Sequence, residues 1–218
     1  MFLKGYLMLK NSLTFVGILL VPFFVMEYVQ AGERTVNQLE YNRSIHFYRI
    51  PDVRLVDAQE REINFAAEVE REDIAIISFA FTSCTGTCPV ITANLVQALP
   101  ELRKAGDRYR IFLVSLDPEH DTPARLREYE ERFNTRNDIT LLTGNRNAIH
   151  SVLRAYNAIY PGSNKMNHQP LTFIRTAKSS PWIRLEGLVS GSNLAREVRT
   201  ALKHTSRTNH TSLPSAAY

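Results

Sequence analysis

The residues best suited to chemistry are the chain's only two cysteines, Cys84 and Cys88, in the stretch Ser83-Cys84-Thr85-Gly86-Thr87-Cys88-Pro89. Thiolates attack disulfides and bind soft metal ions such as Cu(I). Free cysteines have no packing reason to cluster at a loop, so this spacing indicates redox or metal chemistry. A structural disulfide and two unrelated buried thiols are the alternatives. A bridge closing so short a loop would remove little chain entropy, which makes stability a poor reason for it.

The flanking segments predict a strand-to-helix corner. Residues 73–81 form a nearly continuous apolar run with β-branched and aromatic side chains, typical of a strand buried on both faces. Beyond the cysteines, apolar residues recur at one-face helical spacing, and Pro89 suits the first helical position. Cys88 is then expected at or near the N-cap and Cys84 on the preceding loop, where Gly86 permits a tight backbone path. The positive end of the helix dipole should lower the pKa of both thiols.

The first 31 residues have the pattern of a secretory signal. Lys4 and Lys10 precede an apolar run over residues 13–26, and small residues lead up to Ala31. The run is short for a membrane span, and an uncleaved signal anchor is the alternative. In both cases the folded part is expected outside the cytoplasm, either periplasmic or membrane-anchored. Thiols in such a compartment depend on a thiol reductant to stay reduced.

The rest of the chain is long enough for one domain with a substantial core, and no linker divides it. We expect an extended lead-in over residues 32–50, a folded domain over 51–204 and a flexible tail over 205–218. The net charge of +4 becomes +3 without residues 1–31, which carry two lysines and one glutamate. These charges are scattered, so the sequence has no cluster of basic residues that would indicate nucleic-acid binding. It also has no phosphate-binding glycine loop and no hydrolase motif.

Strand and helix patterns alternate along this domain. Residues 53–65 predict a hairpin with a charged turn, and strands are predicted at 109–116 and 139–142. Thr122 and Pro123 are good N-cap and N1 residues for a helix, and Pro100 should bend or end the helix that follows the cysteines. Two further strands and a last helix complete the pattern. Together these elements predict an α/β, thioredoxin-like fold with a central mixed β-sheet flanked by helices.

Three motifs together resemble those of the Sco/SenC family. They are Phe81-Thr82-Ser83-Cys84 to Cys88-Pro89, Val114-Ser115-Leu116-Asp117-Pro118-Glu119-His120-Asp121-Thr122-Pro123, and Asn167-His168 before a strand. The resemblance covers roughly residues 50–204. It implies a thioredoxin-like, membrane-tethered or secreted protein that delivers copper to the CuA centre of cytochrome c oxidase. A copper chaperone is therefore expected rather than an enzyme, with a respiratory oxidase subunit or another copper acceptor as its partner.

The resemblance implies that Cys84, Cys88 and His168 are the copper ligands. Two thiolates and one imidazole suit copper, since sulfur favours Cu(I) and nitrogen helps to hold Cu(II). The alternative is a thiol-disulfide oxidoreductase that uses the same cysteines to keep a copper acceptor reduced. Pro170, just before a strand, is similar to the cis-proline of thioredoxins and adds weight to that alternative. The chain departs from the family at Asn167, where an aspartate usually precedes the histidine.

Four other residues near these motifs are weaker candidates. His120 is expected at the surface, and Asp117 and Asp121 are expected to shape a loop near the site as turn and cap residues. Met166 stands two positions before His168, which suggests a thioether ligand. Filling of the core or a loop is the preferred interpretation of this methionine.

Overall fold

A computed structural model describes residues 41–104, 108–135, 138–162, 164–178 and 180–211. The predicted signal segment, residues 32–40 of the predicted lead-in and residues 212–218 of the predicted tail lie outside these residues. Within the described ranges, no helix is both long and apolar enough to cross a membrane.

The described residues form one eight-stranded sheet in the order β1-β8-β7-β4-β5-β6-β2-β3. The strands are β1 (Asn42–His46), β2 (Arg54–Asp57), β3 (Glu62–Asn64), β4 (Ile74–Ala80), β5 (Tyr109–Ser115), β6 (Ile139–Thr143), β7 (Leu171–Arg175) and β8 (Trp182–Glu186). The helices are α1 (Phe65–Arg71), α2 (Thr87–Lys104), α3 (Pro123–Phe133), α4 (Arg146–Ala155) and α5 (Gly191–Thr211), with a 3-10 turn at Lys165–Asn167.

The sheet is mixed, which confirms the predicted fold class. Strands β4, β5 and β6 are parallel, and every other pairing is antiparallel. Strand β4 lies at the centre, between β5 and the antiparallel β7, and all seven of its residues are buried. This burial explains its continuous apolar sequence, because both faces of the strand meet core side chains.

The pairing register brings three chain segments to one edge of the sheet. Ala80 at the end of β4 lies opposite Ser115 at the end of β5. Strand β7 runs the other way, so it begins at this edge, and Thr172 pairs with Ser78. The loop after β4, the loop after β5 and the segment before β7 therefore converge. The cysteines, the Asp117–Asp121 segment and His168 lie on these three segments.

The cysteine corner forms where it was predicted, with two differences. Helix α2 begins at Thr87, so Cys88 lies in its first turn and Pro89 follows inside the helix. A proline is tolerated there because the first N–H groups of a helix lack intrahelical partners. Gly86 has no positive φ, and a Cβ on it would meet open space, so the loop does not require a glycine.

Most other predicted elements are also present. The hairpin of β2 and β3 has its charged turn, with the Asp57 carboxylate accepting from the backbone N–H groups of Gln59 and Arg61. The end of the lead-in is extended, since β1 pairs with β8. Two details differ from expectation: Pro100 does not end α2, and α5 continues to Thr211, past the predicted start of the tail at residue 205.

Candidate metal centre

The two cysteines lie side by side beneath the surface of the corner. Cys84 is 5% exposed and Cys88 is fully buried, and both are free thiols. Their side chains are hydrogen-bonded to each other. The backbone N–H of Cys84 donates to the carbonyl of Phe81 at 3.2 Å, which fixes the turn that leads from β4 into the loop.

The two thiols have opposite electrostatic environments. Burial raises the pKa of Cys84, but hydrogen bonds from the Cys88 side chain and from the backbone N–H groups of Cys88, Gly86 and Thr87 outweigh it, so the net pKa is lowered. Burial also raises the pKa of Cys88, and with the neighbouring Cys84 it brings this value to about 12. The prediction that both values fall is therefore wrong for Cys88, because burial outweighs the stabilisation of its thiolate.

His168 reaches the cysteines from the segment before β7. It is 8% exposed, and its Nε2 lies 3.6 Å from the Cys88 Sγ. Its Nδ1 lies 3.2 Å from the carbonyl oxygen of Gln169. A carbonyl only accepts, so we assign the ring proton to Nδ1, which leaves the Nε2 lone pair facing the sulfur. Burial lowers the pKa of His168, which favours this neutral ring.

Two contacts orient the His168 ring and its backbone. The ring meets Phe81 edge to face, with centroids 5.9 Å apart, and the backbone N–H donates to the Lys165 carbonyl at 3.3 Å. Asn167 is exposed, whereas the Gln169 carbonyl accepts from the ring. Metal-binding histidines commonly donate their second ring N–H to a carboxylate or a backbone carbonyl. The carbonyl of Gln169 thus supplies the acceptor for the ring N–H in a chain that has Asn167 before its histidine.

Asp121 anchors the loop that leads to Cys84. It is fully buried, and its carboxylate accepts from the Thr82 hydroxyl at 2.5 Å and from the Ser115 hydroxyl at 2.6 Å. The Thr82 backbone N–H also lies within 3.2 Å of both carboxylate oxygens. This confirms that Asp121 shapes a loop near the site. The carboxylate joins the ends of β4 and β5, and both of its oxygens accept hydrogen bonds from these residues.

The other candidates lie around the centre in different settings. His120 is partly buried and contacts Arg125. Asp117 forms an ion pair with Lys165. Met166 is 53% exposed on the 3-10 turn, so it does not fill the core. Within the described ranges, no group of three or more His, Cys, Asp and Glu side chains is arranged to hold a metal ion, so Cys84, Cys88 and His168 are neighbours here without forming a closed three-ligand set.

Sequence reasoning missed a polar support beneath Cys88. The Thr92 hydroxyl lies 3.0 Å from the Cys88 carbonyl and 2.8 Å from the Tyr129 hydroxyl, and all three residues are buried. The sequence signal for this support was the position of Thr92, which follows Cys88 by one helical turn on the apolar face of α2. The similarity of Pro170 to the cis-proline of thioredoxins does not extend to its geometry, because no described peptide bond is cis.

Fold and site define a thioredoxin-like protein with a buried dithiol and a neighbouring imidazole. Residues 51–203 match the SCO1/SenC family, and the chain belongs to that family. A SCO2-like protein from Rickettsia felis is 29% identical over 119 residues, which is 55% of this chain and 56% of that protein. The human mitochondrial SCO1 homolog is 33% identical over 91 residues, 40% of this chain and 29% of that protein. The chain spans about half the length of the rickettsial relatives that it matches.

Solved structures of Sco proteins share the fold. Yeast Sco1 with copper bound has a TM-score of 0.60 at 20% identity, covering 78% of this chain and 92% of that one. Arabidopsis thaliana ScoI with copper bound has a TM-score of 0.60 at 20% identity, covering 71% of this chain and 98% of that one. A third structure, BsSco, is described as containing a disulfide switch in a family of cytochrome c oxidase assembly proteins. The thioredoxin-like fold and the family resemblance are thereby confirmed.

Proposed function

We propose that this protein is a copper chaperone that acts outside the cytoplasm and holds copper through Cys84, Cys88 and His168. The observation that carries the proposal is the approach of the His168 Nε2 to within 3.6 Å of the Cys88 Sγ, with Nδ1 turned toward a carbonyl. For zinc, bonds of ~2.3 Å to sulfur and ~2.0 Å to nitrogen place two tetrahedral ligands about 3.5 Å apart. The observed separation is therefore one that two ligands of a single ion can have.

The donor set fits copper as cargo. Two thiolates satisfy Cu(I), and the imidazole adds a nitrogen that suits Cu(II). Both thiols must lose their protons to bind, which removes the hydrogen bond between Cys84 and Cys88. Because the pKa of Cys88 is raised to about 12, copper has to displace its proton, and uptake should release protons to the solvent.

The proposed role is to help metallate a respiratory oxidase. Membership of the SCO1/SenC family supports this role, as do the copper-bound Sco structures and the description of the family as cytochrome c oxidase assembly proteins. The signal-like segment at residues 1–31 supports action in the periplasm or at the outer face of a membrane. A thiol reductant in that compartment would keep the site ready for copper.

Anaerobic copper titration of the reduced protein tests the proposal. We expect one copper per chain, and we expect Cys84→Ser and Cys88→Ser each to abolish tight binding because one thiolate is lost. Ser83→Ala is the matched control, since Ser83 is exposed on the same loop and is not a proposed ligand. Stoichiometric copper in the double serine variant, measured by metal quantification, would refute the assignment.

One observation favours a second function, thiol-disulfide exchange. The pKa of Cys84 is lowered while that of Cys88 is raised, which is the arrangement of an attacking thiolate beside a protonated partner. In that case the pair would reduce a disulfide formed by the cysteines of a copper acceptor, which become two thiols, while Cys84 and Cys88 become a disulfide. Dithiol exchange does not need an imidazole ligand. A His168→Ala variant that reduces a model disulfide at the wild-type rate but binds copper less well would show that both activities are present.

A further inference from the structure

Lys165 contacts the candidate metal centre from outside, although it is not one of the proposed ligands. It opens the 3-10 turn that leads to His168, and its carbonyl accepts from the His168 N–H at 3.3 Å. Its ammonium group forms an ion pair with Asp117 in the loop after β5. The same group lies 5.0 Å from the centroid of the Phe81 ring. One side chain therefore joins the histidine turn to the segments that follow β4 and β5.

The ion pair is more protected than most surface pairs. The side chains of Lys165 and Asp117 are 34% and 12% exposed. By comparison, the pair between Lys104 and Glu101 is 72% and 44% exposed. Exposed pairs contribute little because water screens them, whereas partial burial strengthens the attraction. The pair with Asp117 also spans 48 residues of sequence, so it constrains tertiary structure rather than one turn of a helix.

Phe81 connects this contact to both kinds of ligand. Its ring packs edge to face on His168, and its carbonyl accepts from the Cys84 N–H. A cation over an aromatic face is attracted electrostatically by the ring. Lys165 thus contacts the Phe81 ring, which in turn packs against the His168 ring. Loss of its charge would loosen two supports of the imidazole together.

We infer that Lys165 is a positioning residue, and that its contacts with Asp117 and Phe81 hold the His168 imidazole facing the dithiol. We call these contacts the lysine latch. The effect on copper rests on the proposed function. The effect on the ring is a property of the metal-free protein.

The first test is NMR of the reduced, metal-free protein with 15N-labelled histidine. Lys165→Met keeps an unbranched side chain and removes the charge, and Asp117→Asn removes the partner's charge with little change in size. Both should replace the single Nδ1–H form of His168 with a mixture of ring tautomers or exchange-broadened signals. Lys165→Arg, which can keep the ion pair, should retain the wild-type signals.

Lys104→Met is the matched control because it removes the same kind of ion pair at the far end of α2. It should leave the His168 signals unchanged. Equal thermal unfolding midpoints for the two methionine variants would exclude general destabilisation as the cause. Wild-type His168 signals in both Lys165→Met and Asp117→Asn would overturn the latch.

The second test measures copper affinity. If the latch keeps the imidazole in its binding orientation, Lys165→Met lowers the fraction of competent protein and weakens Cu(II) about three- to tenfold, with Cu(I) affected less. Failure of the wild-type protein to bind copper would refute the proposed function and leave the NMR test standing. Altered NMR signals with an unchanged ratio of Cu(II) to Cu(I) affinity would overturn the role of the latch in metal binding.

Discussion

The cysteine corner and the histidine turn contribute to one centre by different means. Cys84 lies on the loop after the fully buried β4, and Cys88 lies in the first turn of α2. His168 comes from 80 residues after Cys88 and follows a short 3-10 turn whose Met166 and Asn167 are exposed. Local sequence thus builds the dithiol, whereas tertiary contacts supply the imidazole. Changes at the corner should therefore have larger effects than changes at the turn.

The largest effect we expect is a difference in reactivity within the corner. The pKa of Cys84 lies below its usual value and that of Cys88 is about 12, so Cys84 holds nearly all the thiolate near neutral pH. Native protein treated with iodoacetamide should be alkylated much faster at Cys84 than at Cys88, because the thiolate is the nucleophile and its fraction near neutral pH falls as the pKa rises. The rate at Cys84 should fall as the pH drops below its pKa, because protonation removes the nucleophile. Peptide mass spectrometry measures both rates.

The unfolded protein is the control for this prediction. In denaturant both cysteines lose the burial and hydrogen bonds that separate them, so their rates should become similar. Equal rates in the native protein would show that the two thiols are electrostatically equivalent. That result would remove the specific support for the thiol-exchange function.

The next effect concerns the anchor of the corner. Asp121→Asn replaces a buried carboxylate that accepts from Thr82 and Ser115 with a neutral amide. The amide has only one acceptor oxygen, so its NH2 group must face a hydrogen-bond donor on one side. We expect the free energy of unfolding to fall by about 2–3 kcal/mol, as for loss of hydrogen bonds to a charged group. Urea unfolding measures the change. Asp73→Asn, which breaks an exposed pair with Arg108, should cost under about 1 kcal/mol. Equal losses in the two variants would contradict the anchoring role.

The same contrast explains what the sequence could reveal. The buried strand β4, the hairpin with its charged turn and the N-cap at Thr122 were predictable because apolar runs and capping side chains act over a few residues. Asp121 was recognised as a loop-shaping residue for the same reason. The ligand set was inferred from the family resemblance rather than from any local pattern.

The missed features depend on contacts between distant segments. The raised pKa of Cys88 follows from burial that only the packed fold creates, and the dipole argument from the sequence omitted it. Lys165 carries no sequence signal, because a single lysine in a loop is ordinarily a solvated residue. Its role depends on Asp117, 48 positions away, and on Phe81, and neither the strand pattern nor the motif that contains Phe81 pointed to a contact with Lys165.

The smallest effect we expect comes from removing the imidazole itself. His168→Ala leaves both thiolates in place, and two thiolates satisfy Cu(I) better than Cu(II). Cu(II) affinity should therefore fall about tenfold more than Cu(I) affinity, a difference of roughly 1.4 kcal/mol. Competition titrations with a chelator for each oxidation state measure this ratio, and His150→Ala, an exposed histidine on α4, is the matched control. An unchanged ratio in His168→Ala would mean that the imidazole is not a ligand, and that its approach to Cys88 serves thiol chemistry instead.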